Sequence, residues 1–174
     1  EVIEAHYLFG MSPEQMDVVI HPQSIVHSMV QYRDHSIVAQ LGTPDMRVPI
    51  AYGLGWPERI ESGAAALDFA HLPAMTFESV RSHGHPERFP GLALVWDVLR
   101  APTGSTAVLN AANEVAVAGF LEGHIRFTDI VAVNAATLDA VHFAPPHGLD
   151  DLMAIDAQAR AHAREEVKRR GACC

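Results

Sequence analysis

The sequence VVIHPQSIVHSMVQYRDHSIVAQLGTPDMR, residues 18–47, contains the clearest β-strand signal of the chain. Its apolar residues and turn signals predict three short strands, at 17–20, 25–33 and 36–41. His21-Pro22 ends the first strand because proline has no N–H to donate to a β ladder. Asp34-His35 provides a short hairpin turn between the other two. Because a lone hairpin is marginally stable in water, the pattern predicts a small antiparallel or mixed sheet that packs against helices or a partner subunit.

Helical patterns lie on both sides of this stretch. A helix over residues 1–9 is expected to end at Gly10, and Ser12 can cap a short turn that begins at Pro13. A second helix is predicted from Pro49 to Gly55, because proline fits the first turn of a helix. Further helices are predicted at 91–100 and 105–122, and a third begins after Thr128, which caps it. A short turn is expected to begin at Asp150 or Asp151. The final predicted helix is capped by Asp156 and ends at Arg170.

These patterns predict an α+β chain in three regions. Residues 58–87 contain scattered Pro, Gly, Ser and His without a sustained period, which indicates a linker with one short strand at 74–77. The small sheet with its flanking helices would occupy residues 1–57. A C-terminal helical bundle would occupy residues 88–172.

The composition argues against several classes of function. The chain of 174 residues has a net charge of −9, whereas nucleic-acid-binding proteins usually expose a clustered basic surface. No apolar run is long enough to cross a membrane, and no secretory signal is visible. The adjacent Cys173 and Cys174 match neither a zinc site nor a disulfide framework, which favours a reducing, cytoplasmic location. Because the chain lacks an initiator Met and begins within a predicted helix, we expect a fragment or a processed product.

Three groups of residues could take part in chemistry. Glu1 and Glu4 would share a helix face and could offer carboxylate oxygens to Mg²⁺ or Mn²⁺, although exposed glutamates are usually solvated surface residues. His27 would lie on a strand face with Ile25 and Met29, half-buried, where a histidine is more often packed than catalytic. The LNAANE run at 109–114 would place Asn110, Asn113 and Glu114 on a buried helix, where they need hydrogen-bonding partners from neighbouring segments.

Six segments together identify a resemblance to a known family. They are EVIEAHYLF, VVIHPQSIVHSMV, AQLGTPDMRVPIAYGLGWP, LDFAHLPAMTF, LNAANEVAVAGFL and IRFTDI, in this order along the chain. The sequence resembles the C-terminal part of the 1-deoxy-D-xylulose 5-phosphate reductoisomerases from Glu1 to about Arg170. The resemblance implies that residues 1–57 are the end of a catalytic and dimerisation domain.

The resemblance also implies an activity. These enzymes convert 1-deoxy-D-xylulose 5-phosphate to 2-C-methyl-D-erythritol 4-phosphate in the non-mevalonate route to isoprenoids. They are oxidoreductases and isomerases that use NADPH and a divalent metal ion, Mg²⁺ or Mn²⁺. The metal ion acts as a Lewis acid at a carbonyl, and NADPH supplies the hydride.

Individual site residues follow from the same resemblance. Glu1 matches the last of three acidic metal ligands, and Glu4 matches an acidic residue near the same site. His27 matches a histidine close to the substrate. Ser24, Pro44 and Met46 match residues that line the substrate and nicotinamide positions.

The other two metal ligands, the phosphate-binding residues and the NADPH-binding domain of this family are upstream of the region that the chain resembles. We therefore expect this chain alone to bind metal and NADPH weakly and to be inactive. The resemblance also predicts a homodimer that pairs through residues 18–42. Two rival hypotheses are a non-catalytic structural or dimerisation module and a histidine-rich metal-binding protein, the latter disfavoured because its eleven histidines do not cluster.

Overall fold

The structure is a computed structural model that describes residues 1–80 and 85–171. Contacts between Cα atoms group the described chain into two compact units. We call residues 1–17 together with those from 85 onward the helical unit, and residues 18–80 the hairpin unit. Cys173 and Cys174 lie outside the described residues. Within the described chain, no helix is both long and apolar enough to cross a membrane.

The elements are numbered in chain order. They are α1 (Val2–Phe9), a 3₁₀ turn (Pro13–Gln15), β1 (Val19–Ile20), β2 (Val26–Gln31), β3 (Ile37–Leu41), α2 (Arg47–Gly55), β4 (Glu78–Ser79), α3 (His85–Arg88), α4 (Pro90–Arg100), α5 (Ser105–Leu121), α6 (Asp129–Ala140) and α7 (Leu149–Gly171). The α+β class, the antiparallel pairing and the C-terminal helices agree with the sequence-based predictions.

Helix α5 is the centre of the helical unit and packs against α4, α6 and α7. Its Ala112 and Ala116 are fully buried and lie one turn apart, and α7 offers Ala159 and Ala163 at the same spacing. Small side chains let two helix backbones approach closely, so the packing of α5 on α7 is dense. Val133 of α6, also fully buried, adds apolar contact on the other side.

The final helix corrects one prediction. Asp156 was expected to cap it, but α7 already begins at Leu149 and continues unbroken to Gly171. Asp156 lies inside α7, where its carboxylate accepts a hydrogen bond from Arg160 at 2.7 Å. The carboxylate near the helix start is that of Asp151, which accepts the backbone N–H of His147 at 2.8 Å. The aspartate at 156 is therefore half of an i,i+4 ion pair and does not mark a boundary.

The start of α6 corrects a second detail. The helix begins where predicted, one residue after Thr128, but the Thr128 side chain makes no capping hydrogen bond. The carboxylate of Asp129, the first helical residue, instead accepts the backbone N–H of Arg126, which precedes the helix, at 3.0 Å and pairs with the Arg126 guanidinium. These hydrogen bonds hold the pKa of the Asp129 carboxyl below its ordinary value.

The hairpin unit contains two separate two-stranded antiparallel sheets. Strand β2 pairs with β3, as predicted, whereas β1 pairs with β4 and not with the hairpin. The strand predicted at 17–20 is limited to Val19–Ile20, and the strand predicted at 74–77 lies slightly later, at Glu78–Ser79. Pairing between β1 and β4 is a long-range contact, which strand periodicity does not reveal.

The predicted linker takes part in the hairpin unit. Besides β4, its residues include Ala65, whose carbonyl oxygen accepts the Thr43 hydroxyl at 2.7 Å. Conversely, residues 1–17 group with the helical unit and not with the hairpin. The contacts thus divide the chain elsewhere than at 57/58 and 87/88, and the domain roles assigned to 1–57, 58–87 and 88–172 stay predictions.

Candidate functional site

The two glutamates of the predicted metal site lie at the start of α1, in the helical unit. Glu1 precedes the helix, its carbonyl oxygen accepts the Ala5 N–H at 2.8 Å, and Glu4 lies in the first turn. The Glu4 carboxylate lies 3.6 Å from the Glu1 amino nitrogen. Both side chains are exposed, as metal ligands at the edge of a site can be. Across residues 1–80 and 85–171, no group of three or more His, Cys, Asp or Glu could hold a metal ion.

Helix α1 is held in the helical unit by polar contacts. The Tyr7 hydroxyl lies 3.1 Å from the hydroxyl of Thr106 in α5. After the helix, the Glu14 carboxylate lies 3.8 Å from Nε of Arg100 in α4. At its C-terminal end Gly10 adopts the left-handed conformation (φ 63°), as predicted for a helix-ending glycine. These contacts fix where the two glutamates lie relative to α4 and α5.

His27 lies at an irregularity in strand β2. Val26 pairs with Leu41, but Ser28 pairs with Gln40, so His27 is an extra residue that no β3 residue faces. Such a β-bulge redirects a side chain from the face that simple alternation predicts. The expectation that His27 is half-buried beside Ile25 and Met29 was wrong, because His27 is exposed while Ile25 is buried.

The HPQS segment before β2 is fixed by contacts that the sequence did not reveal. Nδ1 of His21 lies 2.8 Å from the carbonyl oxygen of Thr76, and the His21 ring stacks on Phe77 with centroids 4.6 Å apart. The Gln23 side chain also bonds to Thr76, through its amide nitrogen and oxygen. Ser24 then adopts a positive φ of 50° and remains exposed. A non-glycine residue in this conformation is uncommon, and here the flanking contacts maintain it.

Pro44 and Met46 lie in the loop between β3 and α2. Both are exposed, Met46 to 71%. Helix α2 begins at Arg47, two residues before the predicted start at Pro49, because Pro49 still lies in the first turn, where its missing N–H breaks no hydrogen bond. Asp45 accepts the Arg47 backbone N–H at 2.9 Å. The guanidinium of Arg47 also bonds to it, which holds the pKa of the Asp45 carboxyl below its ordinary value.

The structure brings four of the six predicted site residues to one end of the β2–β3 hairpin. Ser24 and His27 flank the start of β2, and the backbone N–H of Gly42, which follows β3, donates to Ile25 at 3.0 Å. A Cβ at Gly42 would lie 3.9 Å from Cε1 of His27, so the histidine ring lies beside this turn. Pro44 and Met46 follow Gly42 closely along the chain, in the loop before α2. Glu1 and Glu4 belong to the other unit.

The LNAANE run connects helices of the bundle, as predicted, but from an exposed position. Asn134 of α6 donates to Asn113 at 3.0 Å, and Arg160 of α7 pairs with Glu114 at 2.7 Å. The expected burial of Asn110, Asn113 and Glu114 was wrong, because all three are exposed and the buried face of α5 consists mainly of small and aliphatic residues. This run therefore has a structural role in the helical unit.

A cleft of about 410 Å³ also lies in the helical unit, among α4, α5, α6 and the segment after α6. Its floor is apolar, and Asp97, Asp139 and His142 contribute polar side chains to its lining. Glu1, Glu4 and the four hairpin residues are not among its lining residues.

Comparisons with known proteins support the resemblance. The family model for the DXP reductoisomerase C-terminal domain matches residues 41–162. A 1-deoxy-D-xylulose 5-phosphate reductoisomerase from a Bradyrhizobium species is 55% identical over 94% of this chain and 40% of its own length. One from Acidithiobacillus ferrooxidans is 53% identical over 98% of this chain and 43% of its own length. The chain thus spans about two fifths of the length of the curated relatives it matches.

Solved structures agree. The Zymomonas mobilis reductoisomerase in complex with NADPH matches with a TM-score of 0.83 and 45% identity, over 96% of this chain and 43% of that one. A reductoisomerase in complex with NADPH, fosmidomycin and magnesium matches with a TM-score of 0.85 and 39% identity, over 96% of this chain and 42% of that one. Since the family model covers well over half of the sequence and both kinds of relative agree with it, the chain belongs to the DXP reductoisomerase C-terminal domain family.

Proposed function

We propose that this chain forms part of an enzyme that converts 1-deoxy-D-xylulose 5-phosphate to 2-C-methyl-D-erythritol 4-phosphate with NADPH and a divalent metal ion. The observation that supports this most is the convergence of Ser24, His27, Pro44 and Met46 at one end of the hairpin, in a chain of this family. When bound, the metal ion would polarise the substrate carbonyl and NADPH would supply hydride. In this proposal, residues 1–57 end the catalytic domain, 58–87 connect it, and 88–172 form the bundle.

The residues of this chain would bind and orient. Glu1 would supply one carboxylate oxygen to the metal ion, which suits a hard divalent cation. Glu4, one turn further, would add negative charge near it. His27, exposed at the bulge, can donate a hydrogen bond to a substrate oxygen or accept one from a hydroxyl. Ser24 offers a hydroxyl beside it, and the apolar side chains of Pro44 and Met46 would exclude water from the nicotinamide ring.

This chain supplies too few ligands for a complete metal site. Family membership calls for further carboxylates, and the described residues contain no group of three metal-ligating side chains. A single carboxylate leaves most of the coordination shell of Mg²⁺ to water. We therefore propose that residues 1–174 alone have no reductoisomerase activity and bind Mn²⁺ and NADPH weakly.

A hybrid protein tests the proposed function. Residues 1–174 would replace the region that they match in the Bradyrhizobium relative, and NADPH oxidation would be followed with 1-deoxy-D-xylulose 5-phosphate. We expect the hybrid to turn over and residues 1–174 alone to show no turnover. The native relative is the control for the assay. A folded hybrid without activity would contradict the proposal and favour the alternative, a non-catalytic structural or dimerisation module.

Calorimetry with residues 1–174 addresses the remaining hypothesis. Micromolar binding of Mn²⁺ would support a histidine-rich metal-binding protein, and the absence of heat would support the reductoisomerase hypothesis. The cytoplasm is the proposed location, on the ground that the sequence offers no disulfide framework.

Pairing of two subunits through residues 18–42 is part of the proposal. Apolar side chains of the hairpin are exposed, among them Val30 (53%) and Val38 (59%), which face each other across β2 and β3. Contiguous exposed apolar surface often marks a protein–protein contact. We expect the hybrid to be a dimer by light scattering, and Val38→Lys to shift it toward monomer because a buried unpaired charge is costly.

Leu121→Lys is the control for this test. Leu121 is also an exposed aliphatic residue (76%), but it ends α5 in the helical unit. The mass of this variant should stay that of the dimer. A hybrid that is monomeric at all concentrations, or one that stays dimeric after the Val38→Lys substitution, would exclude the hairpin surface as the interface.

A further inference from the structure

The loop between β3 and α2 alternates between bound and exposed side chains. The Thr43 hydroxyl donates to the carbonyl oxygen of Ala65 at 2.7 Å. The Asp45 carboxylate accepts a hydrogen bond from the Arg47 backbone N–H. The side chain of Asp45 is 21% exposed, whereas Met46 is 71% exposed. Thr43 thus ties the loop to Ala65, Asp45 is held by Arg47, and Pro44 and Met46 are exposed.

Asp45 and Arg47 form an unusually complete pair for residues two positions apart. Nε of Arg47 lies 3.0 Å from each carboxylate oxygen of Asp45, and Nη2 bonds to Oδ2. The backbone N–H of Arg47 donates to Oδ1 of the same carboxylate. A carboxylate that receives both a guanidinium edge and a backbone N–H is fixed in direction as well as in position.

The guanidinium of Arg47 lies close to Gly63. A Cβ at Gly63 would lie 3.6 Å from Nη1 of Arg47, so the guanidinium lies near the Gly63 backbone. Gly63 has a φ of +72°, a conformation that side chains other than glycine rarely adopt. The pair therefore lies beside the segment at residues 63–65, which the Thr43–Ala65 hydrogen bond joins to the loop.

We propose that Asp45 and Arg47 are positioning residues that hold Pro44 and Met46 in the orientation in which they contact the nicotinamide of NADPH. This inference rests on the proposed function of the chain. Neither residue needs to touch the cofactor. An ion pair whose guanidinium is largely exposed contributes little to folding stability, so a pair of this geometry beside a proposed site has its main effect on orientation.

The test uses the active hybrid. In Asp45→Asn the side chain can still accept the Arg47 N–H, because the asparagine amide keeps one carbonyl oxygen, but the charged, two-oxygen contact is lost. We expect the KM for NADPH to rise about three- to tenfold, which corresponds to a loss of about 0.7–1.4 kcal/mol of binding free energy, with a smaller change in kcat and an unchanged melting temperature. Arg47→Gln should give the same effect, and the double variant no more than either single one, because the two residues act as a unit.

Asp68→Asn is the matched control. Asp68 likewise accepts a backbone N–H two residues on, from Ala70 at 2.9 Å, and pairs with a side chain, that of His71. Asp68 lies in the hairpin unit but outside the loop that contains Pro44 and Met46. Its KM for NADPH should equal that of the unmodified hybrid.

Different results would overturn the proposed function and the positioning role of Asp45 and Arg47. An inactive but folded hybrid overturns the proposed function, and this inference with it. An active hybrid in which Asp45→Asn leaves the KM for NADPH unchanged, or lowers stability and kinetics together, overturns this inference alone. Hydrogen exchange on residues 1–174 gives a readout without activity, since Asp45→Asn should accelerate exchange at residues 43–48 and Asp68→Asn should not.

Discussion

Replacing Gly104 with alanine is expected to destabilise the helical unit by about 2–4 kcal/mol, the sum of backbone strain and overpacking. Gly104 precedes α5 with a φ of +107° and is buried. An added Cβ would lie 2.8 Å from Cε2 of Phe143 and 3.4 Å from Cδ1 of Ile155. Ile155 is a buried member of a core cluster and the partly buried Phe143 packs against that cluster, so an added Cβ requires the Phe143 ring to shift against the core.

Urea unfolding of residues 1–174, followed by far-ultraviolet circular dichroism, measures this loss. Gly123→Ala is the control, because Gly123 also has a positive φ, +77°, but its Cβ would meet nothing within 4 Å. Strain alone should cost about 1 kcal/mol there. Equal losses in the two variants would show that Phe143 gives way, and that packing at Gly104 is looser than the structure indicates.

Glu1→Gln should lower kcat/KM of the hybrid by roughly 100-fold or more, because it removes a charged metal ligand. Glutamine keeps a carbonyl oxygen of the same reach but contributes no negative charge. We expect the Mn²⁺ concentration for half-maximal activity to rise together with the loss of turnover. Part of the activity should return at high Mn²⁺, because weakened binding can be compensated by mass action.

Activity as a function of Mn²⁺ concentration is the measurement. Glu87→Gln provides the matched control, since Glu87 is also an exposed glutamate in the first turn of a helix, α3. Its metal dependence should be that of the unmodified hybrid. If Glu1→Gln behaves like Glu87→Gln, Glu1 is not a metal ligand.

Sequence reasoning predicted best where a local pattern is sufficient. Gly10 ended α1 as expected, and the helix predicted at 105–122 is α5. It failed at α7, because a mostly polar helix with several aspartates offers many apparent caps. What keeps α7 continuous is its packing on α5 through Ala159 and Ala163, a tertiary effect.

The hairpin end of the candidate site could be predicted as a set of residues but not as a geometry. Motif resemblance named Ser24, His27, Pro44 and Met46. The bulge at His27 was missed because period-2 alternation assumes an unbroken ladder, and one inserted residue reverses the faces from there on. The contacts of His21 and Gln23 with Thr76 join residues more than fifty positions apart, a separation for which the sequence contains no local signal.

The helical unit is assembled from two stretches of chain that residues 18–80 separate. Docking of the first stretch costs chain entropy, which the contacts of α1 with the bundle must offset. No residue of α1 is buried, and a hydrogen bond between exposed hydroxyls, Tyr7 to Thr106, is one of its few connections to α5. Helix α1 should therefore open locally more often than α5 or α7. A ligand held by Glu1 would bind the docked helix alone, so its affinity would include the free energy of docking that helix.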